Sequence, residues 1–311
     1  MGKIEEKKVL ITGASSGIGK ALSLECAARG AVLALTARTK ARLMETRDEI
    51  RAVFPYAAAP LIFPCDVANK MDMDRLIESC EKKMGGIDVL INNAGIGVYG
   101  SIERTIPEDY SSIMSVNFLG AVHCILGILP IMQKAGEGLI VNISSVAALY
   151  GIPYLGAYSA SKAALSAFCQ SLRAELASEK VRVMLVYPGY TQTDFFKNEK
   201  KVGGGLRPPG PYASPQRVAR AIVKAIEKNT RDLVLSLEGK ALYCVRSLFP
   251  GLVQGAMLRL TKKLKDAKED GYEQTKTENN CPVSKSRGKP DLLRPFSSAS
   301  TFRSSGGRLD S

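Results

Sequence analysis

The chain has 311 residues, 45% of them hydrophobic, with 43 Lys and Arg against 30 Asp and Glu, a formal net charge of +13. That length supports one large core with a small appendage, and no run approaches the ~20 consecutive apolar residues of a membrane span. The single histidine, His123, excludes histidine-based catalysis and a His-rich metal site, and no metal is expected.

The charge is uneven. From Lys240 onward there are 14 basic against 7 acidic residues, while the rest of the chain has 29 against 23. Basicity is therefore concentrated at the C-terminal end, and the body is not a basic nucleic-acid-binding module; such a role stays open for the tail alone. Seven cysteines (Cys26, Cys65, Cys80, Cys124, Cys169, Cys244, Cys281) are scattered without paired spacing. An odd, scattered set fits reduced thiols and a cytoplasmic location. The N-terminus is charged and enters a strand at once, so no secretory signal is expected.

Residues 8–12 (KVLIT) are an apolar run of buried-strand type, followed by GASSGIG and a helical pattern, KALSLECAARG, closed by Gly30. Strand, glycine turn and helix in that order are the setting of a phosphate-binding loop. Gly13 permits the tight turn, while Gly17 and Gly19 admit a pyrophosphate and close helix packing. The next strand, AVLALTAR, ends at Arg38, with Thr39 and Lys40 behind it and no acid nearby. An acid there would bind the 2′-hydroxyl of NAD. A guanidinium fork pairs instead with a 2′-phosphate, so Arg38 favours NADP(H), the alternative being a solvated surface arginine.

A helix over 40–53 follows, then a strand ending at Asp66-Val67, a helix over 70–84 closed by Gly85-Gly86, and a strand ending in Asn92-Asn93-Ala94-Gly95. Small residues at a strand's carboxyl end suit close passage of a ligand. Pro107 opens a long helix containing Asn117 and His123, both of which read locally as satisfied packed side chains. Strand GLIVNISS leads to Ser145, and a helix over 157–179 places Tyr158 and Lys162 four apart on one face. An ammonium held there favours a phenolate, so Tyr158 is expected to titrate well below its usual ~10. The plain alternative is an exposed Tyr/Lys pair.

Strand VRVMLVYPG ends at Pro188-Gly189, and residues 190–214, rich in Gly, Pro and charge, read as a mobile substrate lid. Ser214-Pro215 starts a helix running to about Asn229, and DLVLS is a last strand. Strands and helices alternate six or seven times, which specifies an α/β fold with a doubly wound parallel sheet of about seven strands and helices on both faces. Residues 1–239 are thus expected to form one dinucleotide-binding catalytic domain. Residues 240–265 form an amphipathic helical extension, with Leu252, Val253, Ala256, Met257, Leu260 and Leu264 on one face, suited to a membrane surface, to the protein's own core or to a dimer partner. Residues 266–311 read as a disordered basic tail.

With these pieces placed, residues 5–240 resemble a short-chain dehydrogenase/reductase of the non-extended branch. Thr12-Gly13-Ala14-Ser15-Ser16-Gly17-Ile18-Gly19 matches the family's TGxxxGxG loop. Asp66-Val67 matches the pair that contacts adenine, Asn93-Ala94-Gly95 completes NNAG, and Tyr158 with Lys162 forms YxxxK. Ser145, thirteen positions before the tyrosine, matches the family serine, and Asn117 the family asparagine. Pro188, Gly189, Thr191 and Thr193 span the PGxxxT segment that holds the nicotinamide carboxamide.

The resemblance implies hydride transfer between NADP(H) and a ketone or secondary alcohol, with a lipid-like or steroid-like body suggested by the apolar 146–150. It gives Tyr158 the role of general acid/base, with Ser145 stabilising the substrate oxygen. Lys162 lowers the Tyr158 pKa and binds ribose, and Asn117 supports a proton relay. It also implies a homodimer or homotetramer through helices 107–133 and 157–179. NAD(H) use, or a dinucleotide-binding scaffold without turnover, stays open.

Overall fold

The computed structural model describes residues 3–193, 195, 200–202, 212–246, 248–262 and 264. Apolar runs and glycine turns make the first unit, β1 (Lys8–Thr12), α1 (Gly17–Ala27) and β2 (Val32–Ala37). The alternation continues through α2 (Lys40–Val53), β3 (Leu61–Pro64), α3 (Lys70–Met84) and β4 (Val89–Asn92). Local chemistry fixes several of these ends. At α3, Asn69 Oδ1 accepts from the Met71 and Asp72 backbone N–H groups, and Gly85 closes the helix at φ 67°, a left-handed turn that glycine adopts freely.

Next come β5 (Val98–Gly100), α4 (Pro107–Met114), a π turn (Ser115–Leu119), α5 (Gly120–Ala135) and β6 (Gly138–Ile143). They are followed by α6 (Gly156–Glu175), β7 (Val181–Tyr187), β8 (Lys200–Val202), α7 (Pro215–Glu227), β9 (Asp232–Val234) and α8 (Leu237–Val245). A further helix covers 250–262.

Seven strands form one parallel sheet in the order β3-β2-β1-β4-β6-β7-β9, a Rossmann-type doubly wound arrangement. Helices cover both faces, which is why the strands read as continuous apolar runs and not as alternating ones. On one face Val9, Ile11 and Leu35 pack with Leu22 of α1 and Ile222 of α7. On the other Leu10, Leu90 and Ile140 pack with Met73 of α3, Ile128 of α5 and Leu165 of α6. The order of strands reverses between β1 and β4, and a ligand crevice opens at such a point, outside the carboxyl ends.

The structure departs from the sequence expectations in several places. The long helix from Pro107 is broken in register by the π turn and runs on to Ala135, while α6 ends at Glu175 and not at 179. The α4–α5 run is 29 residues long with a window of mean hydropathy 1.8, enough to cross a membrane by length and composition, because interspersed small residues leave the average apolar. Its Ile113, Cys124, Ile125, Ile128 and Met132 are nevertheless buried in the protein's own core. A small parallel pair, β5 with β8, has no counterpart in the sequence reading. There a Cβ on Gly100 would lie 2.1 Å from the Val202 carbonyl oxygen, so only glycine admits the second strand.

The apolar face expected on 251–265 is split: Val253 and Leu264 are buried, whereas Leu252 is exposed. The expected tail, 266–311, lies outside the described residues, as does much of the expected lid.

Candidate active site

The glycine loop is locked to the end of β4. Gly13 (φ 64°) and Gly17 (φ 54°) take left-handed conformations that side chains avoid. A Cβ on Gly13 would come within 2.8 Å of Ala94 Cα, and one on Gly19 within 2.1 Å of the Gly13 carbonyl oxygen. Thr12 Oγ1 accepts the backbone N–H groups of both Asn93 and Ala94, each at 3.0 Å. The Asn93 amide returns Nδ2 to the carbonyls of Thr12 (3.0 Å) and Gly13 (3.2 Å). The NNAG run thus acts first as a clamp on the loop. Ser16 is the residue before α1, whose N-terminus faces the crevice.

A cavity of about 310 Å3 runs along this edge. Gly13, Ser15, Ser16, Gly17 and Ile18 line its phosphate end, and Arg38, Thr39, Asp66 and Val67 its far end. Asn93, Ala94 and Gly95 form its floor, with Pro188, Gly189, Thr191 and Thr193 along the β7 side. Gly19 is the one expected loop residue that does not line it, because its Cα packs on Gly13. Sequence reasoning missed Arg42, which joins Arg38 at the far end from the first turn of α2. Its place in the first turn of α2, which begins two residues after Arg38, was the available signal. His123 Nδ1 lies 3.2 Å from the Val67 carbonyl oxygen, so the lone histidine supports the Asp66-Val67 turn.

The catalytic candidates converge at the opposite end. Ser145 follows β6 in extended backbone, and its Oγ accepts the Ala147 N–H at 3.1 Å, capping a short turn. The Tyr158 ring, from the first turn of α6, lines the same end of the cleft as Ser145, whose side chain favours the phenolate. Lys162 lies one turn along, only 4% exposed, and its Nζ donates to the Ile143 carbonyl at 2.8 Å.

Asn117 sits in the π turn, behind Lys162 and outside the main cavity. Its Oδ1 accepts from Ile96 N (2.8 Å), while Nδ2 donates to the Ile96 carbonyl and to Ser161 Oγ, both at 3.0 Å. A π turn aims this amide inward from the middle of a long helix, and such turns recur at functional sites. Ser161 Oγ in turn donates to the Tyr158 carbonyl at 2.8 Å, tying the asparagine to the tyrosine's helix.

Electrostatics run opposite to the sequence expectation for the phenol. Desolvation pushes the Tyr158 pKa up to about 12, opposed in part by the neighbouring Ser145 side chain. Burial likewise lowers the Lys162 pKa to about 8. Desolvation disfavours the charged form of each group, and the lysine's Nζ is engaged by a main-chain carbonyl.

Around the tyrosine the wall is apolar, formed by Val146, Ala147, Ile152, Leu155 and Phe195. The Phe195 ring meets Tyr158 edge-on, with centroids 5.7 Å apart. Phe195 belongs to the stretch read as a lid, and nothing in its local sequence distinguished it.

Glycines at the phosphate end, a helix N-terminus aimed at it and two guanidinium-bearing residues beyond fit a dinucleotide. Residues 7–202 match the family described as short chain dehydrogenase. The chain belongs to that family. A relative from Anopheles gambiae, named dehydrogenase/reductase SDR family protein 7-like, is 37% identical over 274 residues, 83% of this chain and 84% of that protein. A fatty acyl-CoA reductase from Acinetobacter baylyi is 35% identical, over 75% of this chain and 77% of its own. Among solved short-chain dehydrogenases, one from Burkholderia cenocepacia in complex with NADP superposes with a TM-score of 0.70 at 25% identity, covering 82% of this chain and 99% of that one. One from Burkholderia phymatum in complex with NAD gives 0.73 at 24% identity, covering 81% and 96%, a likeness of fold.

In this short-chain dehydrogenase, Thr12→Val removes the acceptor for two N–H groups at the crevice. It should destabilise the protein by about 1–3 kcal/mol, measured by urea denaturation, and weaken dinucleotide binding in parallel.

Proposed function

We propose that this chain is an NADP(H)-dependent carbonyl reductase and alcohol dehydrogenase of the non-extended branch, acting on a ketone or secondary alcohol with an apolar, lipid-like or steroid-like body. One observation carries the reading: a half-buried tyrosine beside a serine, one helical turn from a buried lysine, at the apolar end of a cleft whose other end holds Arg38 and Arg42. When bound, the dinucleotide supplies or accepts the hydride. Gly13, Gly17 and the α1 N-terminus would hold its pyrophosphate, Arg38 and Arg42 its 2′-phosphate, and the 188–193 segment its carboxamide.

The chain's own groups handle the proton. At a pKa of about 12, Tyr158 is fully protonated at neutral pH and gives its proton to the substrate oxygen in reduction, taking one back in oxidation. Ser145 hydrogen-bonds the same oxygen and stabilises its developing charge. Lys162, cationic below about pH 8, favours the phenolate left behind. Asn117 fixes the wall behind Lys162, where a relay returning protons from solvent would run.

Two arginines and no acid at the end of β2 support NADP(H) over NAD(H). The wall of Val146, Ile152, Leu155 and Phe195 supports an aliphatic or polycyclic substrate. The exposed Leu119 and Leu126 on the α4–α5 run support self-association through that helix and α6.

Tyr158→Phe should lower kcat for ketone reduction by about 10²–10⁴ while leaving NADPH affinity unchanged in a fluorescence titration. Unaltered turnover would defeat the mechanism. Reductive kcat/KM should be level below and fall above about pH 8 as Lys162 loses its proton, and Lys162→Arg, which stays cationic, should carry the plateau to higher pH. Arg38→Asp should raise KM for NADPH by at least about tenfold and leave NADH use unharmed; an equal effect on both cofactors would point to NAD(H).

A further inference from the structure

The C-terminal helices begin at the mouth of the substrate cleft. Ser236 caps α8, its Oγ accepting the Gly239 N–H at 3.0 Å. Gly239 is pressed so closely on Val146 that a Cβ there would lie 2.5 Å from Cγ1, and Val146 lines the cleft. Farther along α8, Leu242 packs on the core, and Arg246 donates to the Leu149 carbonyl at 3.1 Å. The helix over 250–262 follows immediately.

That second helix is only half covered. Val253, Met257, Leu260 and Leu264, spaced 4-3-4, make the side turned toward the protein, with Val253 and Leu264 fully buried. The flank next to it continues the apolar arc into solvent. Phe249, Leu252 and Ala256 are exposed, at 3-4 spacing, and Leu248 stands beside them; Leu248 is 74%, Phe249 56% and Leu252 68% exposed. Helical angles of 100° per residue put Arg259 at the edge of this flank and Lys262 one step farther round. Three large apolar side chains on a single turn are a patch and not scattered singles.

The charge around the patch identifies the surface it fits. Between Ser236 and Leu264 the chain carries Lys240, Arg246, Arg259, Lys262 and Lys263 against Glu238 alone. An apolar flank edged by cations is complementary to an anionic bilayer, whose headgroups attract the cations while the acyl boundary receives the Phe and Leu side chains. A second copy of this chain would instead bring like charges together.

We propose that the turn 248–252 and the adjoining flank of the helix over 250–262 dock this protein on an anionic lipid surface, beside the opening of its substrate cleft. Docking there lets an apolar substrate pass between bilayer and cleft. The attachment itself is independent of the reductase reading, since it is read as binding without turnover.

The test is co-sedimentation of the full-length protein with phosphatidylcholine vesicles, with and without phosphatidylserine. Three proteins are compared: wild type, Phe249→Glu/Leu252→Glu, and Arg259→Glu/Lys262→Glu. Wild type should partition onto the phosphatidylserine vesicles, and each double variant should bind at least about tenfold more weakly with an unchanged Tm and NADPH affinity. Undiminished binding of Phe249→Glu/Leu252→Glu would assign attachment to the basic sequence beyond the helix and overturn the proposal. So would absence of wild-type binding, or lipid-free self-association that this variant abolishes, which would make a second copy the occupant.

Discussion

One hydroxyl at the centre of the sheet ties the two halves of the nucleotide crevice together. Thr12 Oγ1 takes N–H groups from Asn93 and Ala94, and Asn93 answers through its amide to Thr12 and Gly13. The carboxyl ends of β1 and β4 are thereby joined where the strand order reverses. The glycine loop is held besides by Ala14, buried in the core with its N–H on the Thr36 carbonyl, and by Ile18 packed against that core. Everything placed around the crevice takes its reference from this joint. Gly17 approaches Thr193 from one side, and Gly95 approaches Asn117 and Lys162 from the other.

Desolvation governs the second half of the site. Lys162 is buried and Tyr158 half-buried, and desolvation pushes each toward its neutral form. An isolated buried ammonium would be costly, but a main-chain carbonyl at 2.8 Å and the neighbouring Asn117 network surround this one with fixed dipoles. The result is a phenol loaded with its proton beside a cation whose charge is sensitive to mild alkalinity. That arrangement favours proton delivery over proton removal at neutral pH.

Much of this was legible from the chain alone, for identifiable reasons. α3 starts and ends where the Asn69 cap and Gly85 end it, β1 is a self-contained apolar run, and α2 also agrees with the sequence reading residue for residue. Motif spacing brought Ser145 to Tyr158 correctly. Apart from Arg42, the π turn and the end of α6, the misses are long-range. Phe195 reaches the cleft only because an element distant in sequence meets it there. The β5–β8 pair joins residues about a hundred positions apart through a contact that Gly100 alone permits. The direction of the Tyr158 shift depends on how deeply the ring is buried, which spacing does not encode. The amphipathic stripe of 251–265 was visible, but which part of its arc the protein keeps for itself was not.

The π turn at Ser115–Leu119 carries a further implication. It holds one residue more than the α turn it replaces, so the helices before and after it are out of phase by about 100° relative to a continuous helix. Both phases are fixed elsewhere, α4 through Ile113 and α5 through Ile125 and Ile128. Loss of a single codon here would let the helix run straight and keep both anchored faces in place, with Asn117, three or four residues from Ile113 and Ala121, still on the inner face but displaced from its bonds to Ile96 and Ser161. The aim of this amide at Ile96 and Ser161 is thus held by a surplus of one in the reading of the helix.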